Sequence, residues 1–203
     1  MGRALLLVLI VFMFILGVAC SPASPDVYER PTDWYSPINP KIALENLVWC
    51  YNNAAYYDRY ETLIHDDFIF YFSEHDRDNG LPATYNKTEE LEVALGLFEN
   101  EQIGPENIDL DLYLPEDYLP PADDETIDNI SHVTYDLSVT LDHIQVTYHA
   151  QHTASFELTR QDDADSDEAR WWISKWWDEY NDSRSSGYLG AVEEVTWGQI
   201  KAL

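Results

Sequence analysis

The hydrophobic period of this chain changes between its halves, and that change limits what it can fold into. From Ile108 onward apolar residues alternate with polar ones. Ile108, Leu110, Leu112 and Leu114 are interleaved with Asn107, Asp109, Asp111 and Tyr113, and Val133, Tyr135, Leu137, Val139 and Leu141 with Thr134, Asp136, Ser138 and Thr140. In the next run Ile144, Val146, Tyr148, Ala150, His152, Ala154, Phe156 and Leu158 share one face. A polar loop, Gln161 to Glu168, then leads to Arg170 to Tyr180, a strand dense in tryptophan and apolar on both sides. A period of two sets one face of each strand on a core and leaves the other wet. The second half therefore predicts four strands of a curved antiparallel sheet with helices covering one face, an α+β fold.

The first half supplies the helices. Asn39 is placed to cap a helix whose first residue is Pro40, where a missing N–H costs nothing. Leu44, Leu47, Val48, Tyr51 and Ala55 then recur at helical spacing, with Lys41, Glu45, Asn46 and Asn52 opposite them. A short helical segment, Tyr57 to Ile64, precedes Phe68-Ile69-Phe70-Tyr71-Phe72, a run expected to be a strand buried on both faces. Glu74 to Tyr85 reads as a polar loop. Asn86 followed by Glu89 has the spacing of a capping box, opening a helix to about Asn100 with Leu91, Ala94, Leu95 and Phe98 as its apolar stripe. Pro115 to Asn129 reads as an acidic loop.

The N-terminus carries one positive charge, Arg3, and then an apolar run from Ala4 to Ala19. That is the layout of an export signal, and the run is no longer than the roughly 17–25 residues needed to span a bilayer. Leu16-Gly17-Val18-Ala19-Cys20 resembles the lipobox of bacterial lipoprotein precursors, with Gly17 departing from the usual leucine. The resemblance implies residues 1–19 as a cleaved signal peptide and Cys20 as the lipidated first mature residue. Residues 20–38, rich in proline, form a tether, and 39–203 the domain, with Trp34 and Tyr35 docking the tether's end. The implied address is the exported side of the cell envelope, and Ser21 resembles an outer-membrane sorting signal where the cell has such a membrane. With Cys20 lipidated, Cys50 has no thiol partner in the chain and reads as a small buried hydrophobe.

Charge narrows the partners. With 38 acidic residues against 11 lysines and arginines, the formal net charge is −27. Such a surface repels phosphate backbones and anionic lipid headgroups, so nucleic acid is excluded as a partner and the acyl chains are left to hold the membrane.

The order helix, helix, strand, helix, four strands resembles the nuclear transport factor 2-like superfamily, which includes ketosteroid isomerase and the SnoaL-like polyketide cyclases. The likeness is carried by Tyr60-Glu61-Thr62-Leu63-Ile64, Asp67-Phe68 and the aromatic strand near the start. Near the end it is carried by Trp172-Ile173-Ser174-Lys175-Trp176-Trp177-Asp178 and Thr196-Trp197-Gly198-Gln199-Ile200-Lys201. It implies a cystatin-like roll, a curved sheet wrapped as a cone around the N-terminal helices with a pocket inside. Because this superfamily hosts enzymes, binding modules and assembly domains, the likeness speaks to fold rather than activity.

His152 is the informative residue within that frame. It takes a core-facing place among apolar neighbours, where a lone imidazole needs a hydrogen-bond partner or a role on a pocket wall. Tyr51, Tyr135 and Tyr148 are expected beside it, and Asp178 joins them if its strand turns that side inward. Asp136 falls on the polar face. His149 and His152 point to opposite faces of a strand, so they do not form a metal pair. The acidic loops Asp163-Asp165-Asp167 and Asp76-Asp78 lack the full ligand set of a calcium loop. No metal or cofactor is therefore expected.

The expected function is binding of a small apolar ligand or a partner protein without catalysis. One alternative is an isomerase, cyclase or hydrolase using His152 with a carboxylate, and another is a structural envelope protein pairing as a homodimer through its sheet face. Whether the cone is open or filled by aromatic side chains separates these readings.

Overall fold

The computed structural model describes residues 31–162, 169–180 and 192–201. The signal segment, Cys20, the first part of the tether and the Asp163–Asp167 loop lie outside the described residues.

Helix α1 (Pro40–Asn52) starts as its sequence demands, with the Asn39 side chain accepting from the Ile42 amide at 2.9 Å. Ala43, Leu44, Leu47, Val48, Cys50 and Tyr51 are buried along it, each large side chain worth about 1.5–3 kcal/mol. Asn46 and Asn52 depart from the expected polar face. The buried Asn46 carboxamide exchanges hydrogen bonds with the Tyr35 backbone, which fixes the chain just before α1, where Trp34 also packs edge-on against Trp49. Asn52 does the same with Leu110, at 2.9 and 2.7 Å. It thereby satisfies an edge-strand backbone that would otherwise invite pairing.

After α2 (Tyr57–Glu61) come β1 (Ile64–Tyr71), α3 (Glu74–Asp78), β2 (Thr84–Asn86) and α4 (Lys87–Phe98), then β3 (Ile108–Tyr113), β4 (Ile127–Leu141), β5 (Val146–Asp162) and β6 (Ala169–Glu179), and finally β7 (Val192–Glu194) and α5 (Trp197–Ile200). The strands form one curved, unclosed sheet in the order β2-β1-β6-β5-β4-β3, with β7 against β5.

Several particulars differ from the sequence reading. The expected polar loop Glu74 to Tyr85 holds α3 and β2. Pairing is antiparallel except between β1 and β6 and between β5 and β7, which run parallel. In β1, Phe68 and Phe70 are buried while Ile69 and Tyr71 are only half-buried, so one face rather than both meets the core. Ile144 is half exposed because it sits in the β4–β5 turn, before the ladder begins at Val146. The buried side of α4 is Glu90, Ala94, Leu97 and Phe98, a stripe rotated from the expected one.

One irregularity positions the site. Leu158 pairs with Ile173 and Glu157 with Lys175, so Ser174 is an extra residue in β6. A bulge of this kind shifts the alternation by one. Trp171 and Ile173 point inward before it, and Trp176 and Asp178 after it. The bulge thus settles the ambiguous facing of Asp178.

Candidate functional site

The interior enclosed by the sheet and helices is filled. Tyr51, Tyr60, Phe70, Phe98, Tyr135, Trp176 and Trp197 are all buried. They meet mainly edge to face, with centroids from 4.1 Å for Trp176–Trp197 to 6.0 Å for Tyr51–Tyr60, an arrangement that suits aromatic quadrupoles.

Within this aromatic mass the polar groups converge on residues 195–201. The Trp197 indole N–H donates to Tyr51 Oη at 3.1 Å and its amide to Tyr135 Oη at 3.3 Å. Asp178 accepts from the Tyr135 hydroxyl at 2.8 Å and from the Gly198 amide at 3.1 Å. Asp76, fully buried, accepts from Ser73 at 2.7 Å and from the Thr196 hydroxyl at 2.5 Å. Glu90 accepts both contacts of the Lys201 ammonium at 2.6 Å and a hydrogen bond from the Tyr60 hydroxyl. That ammonium also lies 3.8 Å from the Phe70 ring centroid and 4.3 Å from that of Trp176. Gly198 is required by close approach, since a Cβ there would fall 2.7 Å from Phe72 and 2.8 Å from Asp76.

Burial governs the electrostatics. It raises Asp178 to about 7, helped by the charge of Asp76 and opposed by the Tyr135 and Gly198 hydrogen bonds and by Lys201. It pulls Lys201 downward against the opposing pull of Glu90. It lowers His152, whose hydrogen bond to the Val195 backbone works the other way. The same cause drives the Cys50 thiol far above its ordinary value, leaving it inert.

Of the residues expected in a pocket, Tyr51, Tyr135, Asp178 and His152 are brought together around the 195–201 segment. His152 stands 6.1 Å from Tyr135 and 4.8 Å from Tyr180 between ring centroids. Tyr148 lies apart, half-buried opposite Val139 and beside Glu193 of β7. His149 is engaged on the other face, 2.8 Å from Asp136, whose hydrogen bond raises its pKa. Sequence reasoning passed over Glu90, weighed Asp76 only as a calcium ligand, and named Trp197 and Lys201 only within the motif that carries the likeness, with no role in the site. Glu90 had a readable signal, its helical spacing to Ala94, Leu97 and Phe98. Asp76 and Lys201 are committed to partners more than a hundred positions away, which no local pattern reveals.

A groove of about 800 Å³ remains open at the rim, where β1 turns into α3 beside the end of β6. Glu74, His75, Ser155, Trp177, Glu179 and Tyr180 line it, with Asp178 at its back. Trp177 stacks on Tyr71 at 5.1 Å and Tyr180 on His75 at 4.2 Å. Glu179 is held by Ser155 at 2.6 Å and Thr153 at 3.1 Å. Among the described residues no cluster of three or more metal-ligating side chains occurs.

No family model matches the sequence, and a search of curated proteins finds no match. Solved structures do match. A conserved protein from Planctomyces limnophilus aligns with a TM-score of 0.52 at 12% identity, over 68% of this chain and 91% of that one. A protein from Novosphingobium aromaticivorans, proposed to be an aromatic ring hydroxylase, aligns with a TM-score of 0.52 at 9% identity, over 70% and 86%. A nuclear transport factor 2-like protein of unknown function in nutrient uptake, from Rhodospirillum rubrum, gives 0.44 at 17% identity, over 68% and 93%. By strand order and curvature this chain has an α+β fold, a curved, unclosed sheet with N-terminal helices, shared with the Planctomyces limnophilus and Novosphingobium aromaticivorans proteins and of the kind that the nuclear transport factor 2-like resemblance implies.

Proposed function

We propose that this chain is the precursor of an exported, lipid-anchored binding protein whose domain holds a ligand or partner in the rim groove without performing chemistry. The observation that carries the binding reading is the contrast between a filled interior and an open groove of about 800 Å³. Aromatic faces beside Ser, Asn and carboxylate groups suit a polar ligand better than the apolar one expected for an open cone. His152 and Asp178, the groups best placed for acid–base work, are instead engaged with residues 195–201. The anchoring reading is supported by the residues before Cys20 and by a tether whose end is pinned at Tyr35.

The deciding experiment is native mass spectrometry of the domain purified from its own cells, beside Trp177→Ala and Glu179→Gln variants. A retained molecule that both variants lose supports the groove. A wild-type protein that carries nothing, or a ligand indifferent to both changes, defeats it. Incorporation of an alkynyl fatty acid into the full precursor, abolished by Cys20→Ser, tests the anchor separately.

A further inference from the structure

Five wall elements and the α2–α4 pair send polar groups into the interior, and they converge on one short segment. Tyr51 from α1, Asp76 from α3, Glu90 from α4, Tyr135 from β4 and Asp178 from β6 each bond to Thr196, Trp197, Gly198 or Lys201. His152 from β5 bonds to Val195. The segment itself has little regular structure to hold it: β7 has three residues and α5 four. A helix that short does not persist alone, so its side chains and the walls set its position. They contact the walls as a bound molecule would. An indole ring sits between Tyr51, Tyr135 and Trp176 with its N–H on a tyrosine oxygen. An ammonium sits on a carboxylate over two aromatic rings.

Two observations argue that this occupant is not the best fit the chamber can have. Among the described residues the Trp176 indole nitrogen, which is buried, meets no hydrogen-bond partner while Trp197 lies against its ring, a cost that native interiors avoid. The Lys201–Glu90 pair is almost wholly removed from water, at 2% and 0% side-chain exposure, so its desolvation offsets much of its attraction. Asp178 belongs both to this chamber and to the back of the groove, so the two spaces share a wall.

We propose that Thr196 to Lys201 is a displaceable internal occupant, and that the ligand it stands in for is an amine bearing an aromatic ring. The inference concerns the chamber and does not depend on what the groove holds. Hydrogen exchange on the whole protein, read by mass spectrometry with tryptamine as the probe, tests it. Amides 197–201 should open about tenfold more often than those of residues 133–139 and 150–158, and excess tryptamine should raise exchange at 197–201 while leaving the strands unchanged. Exchange of 197–201 only together with the strands, or indifference to tryptamine, overturns the proposal. A second measurement uses Trp197→Ala combined with Lys201→Ala in the full chain, because Lys201 otherwise keeps Glu90. Tryptamine should bind this variant about tenfold more tightly than wild type and more tightly than indole, and a further Glu90→Gln change should erase the preference for the amine. Equal affinity for the two proteins, or for the two compounds, counts against it.

Discussion

At the scale of single residues, buried charge decides most. Lys201 and Glu90 are held 2.6 Å apart with almost no exposure, so removing one partner strands the other in a low-dielectric interior. Glu90→Gln should cost about 3–5 kcal/mol, whereas Glu90→Gln with Lys201→Met should cost much less than the two single changes added. Urea unfolding of the four proteins in a double-mutant cycle measures the coupling, and additivity would show that the pair is not the unit. Asp178 gives the second prediction. Its folded value near 7, against 3.8 for an ordinary aspartate, means the folded protein keeps a proton the unfolded chain has released. The contribution is full below about 4 and is lost as pH rises through 7. The stability difference between wild type and Asp178→Asn should therefore be larger in favour of wild type at pH 5 than at pH 8. A difference that stays flat across that range would mean the carboxyl titrates normally.

At the scale of elements, what was legible in the sequence was whatever is determined locally. The Asn86–Glu89 capping box is present with both bonds, at 3.1 and 2.8 Å, and Asn86→Ala should cost about 1 kcal/mol of unfolding free energy. Thermal or urea melts read this directly, with Thr88→Ala as the neighbouring control. The alternation of β3, β4 and the later part of β5 was legible for the same reason, since each residue reports its own face. The short elements were not. Helix α3 exists because Ser73 caps it and Asp76 reaches Thr196 from it, β7 through its pairing with β5, and α5 through a Thr196–Gln199 capping box together with the wall contacts that a four-residue helix needs. The Ser174 bulge was equally invisible, because strand Arg170–Tyr180 is apolar on both sides and offers no break in pattern. Its consequence is large: deleting Ser174 sets Ile173 next to Lys175, opposite Leu158 and Glu157, so the ladder becomes regular with Trp176 and Asp178 still inward and the protein should fold, whereas inserting an alanine after Lys175 would turn both outward and the protein should fail to fold. Near-ultraviolet circular dichroism distinguishes the two.

At the scale of the whole molecule, charge opposes the fold that the core sustains. A formal net charge of −27 is self-repulsive in any compact state, and compaction brings the carboxylates closer than the unfolded chain does. Among the described residues, lysine ion pairs such as Lys41–Glu45, Lys87–Asp66 and Lys175–Glu157 are at least partly exposed and worth little. Salt weakens those few attractions and the many repulsions together, shortening the screening length from about 10 Å at 0.1 M to about 3 Å at 1 M. The repulsions are far more numerous, so the net sign is stabilising. Adding sodium chloride over that range should raise the melting midpoint by a few degrees, on the order of 1 kcal/mol for a domain of this size. Calcium chloride at equal ionic strength should do no more than sodium chloride if screening is the cause. The increment should shrink near pH 4.5, where carboxylates begin to neutralise. A midpoint that falls with salt would show that exposed ion pairs hold the domain together, and a jump specific to calcium would reveal a cation site.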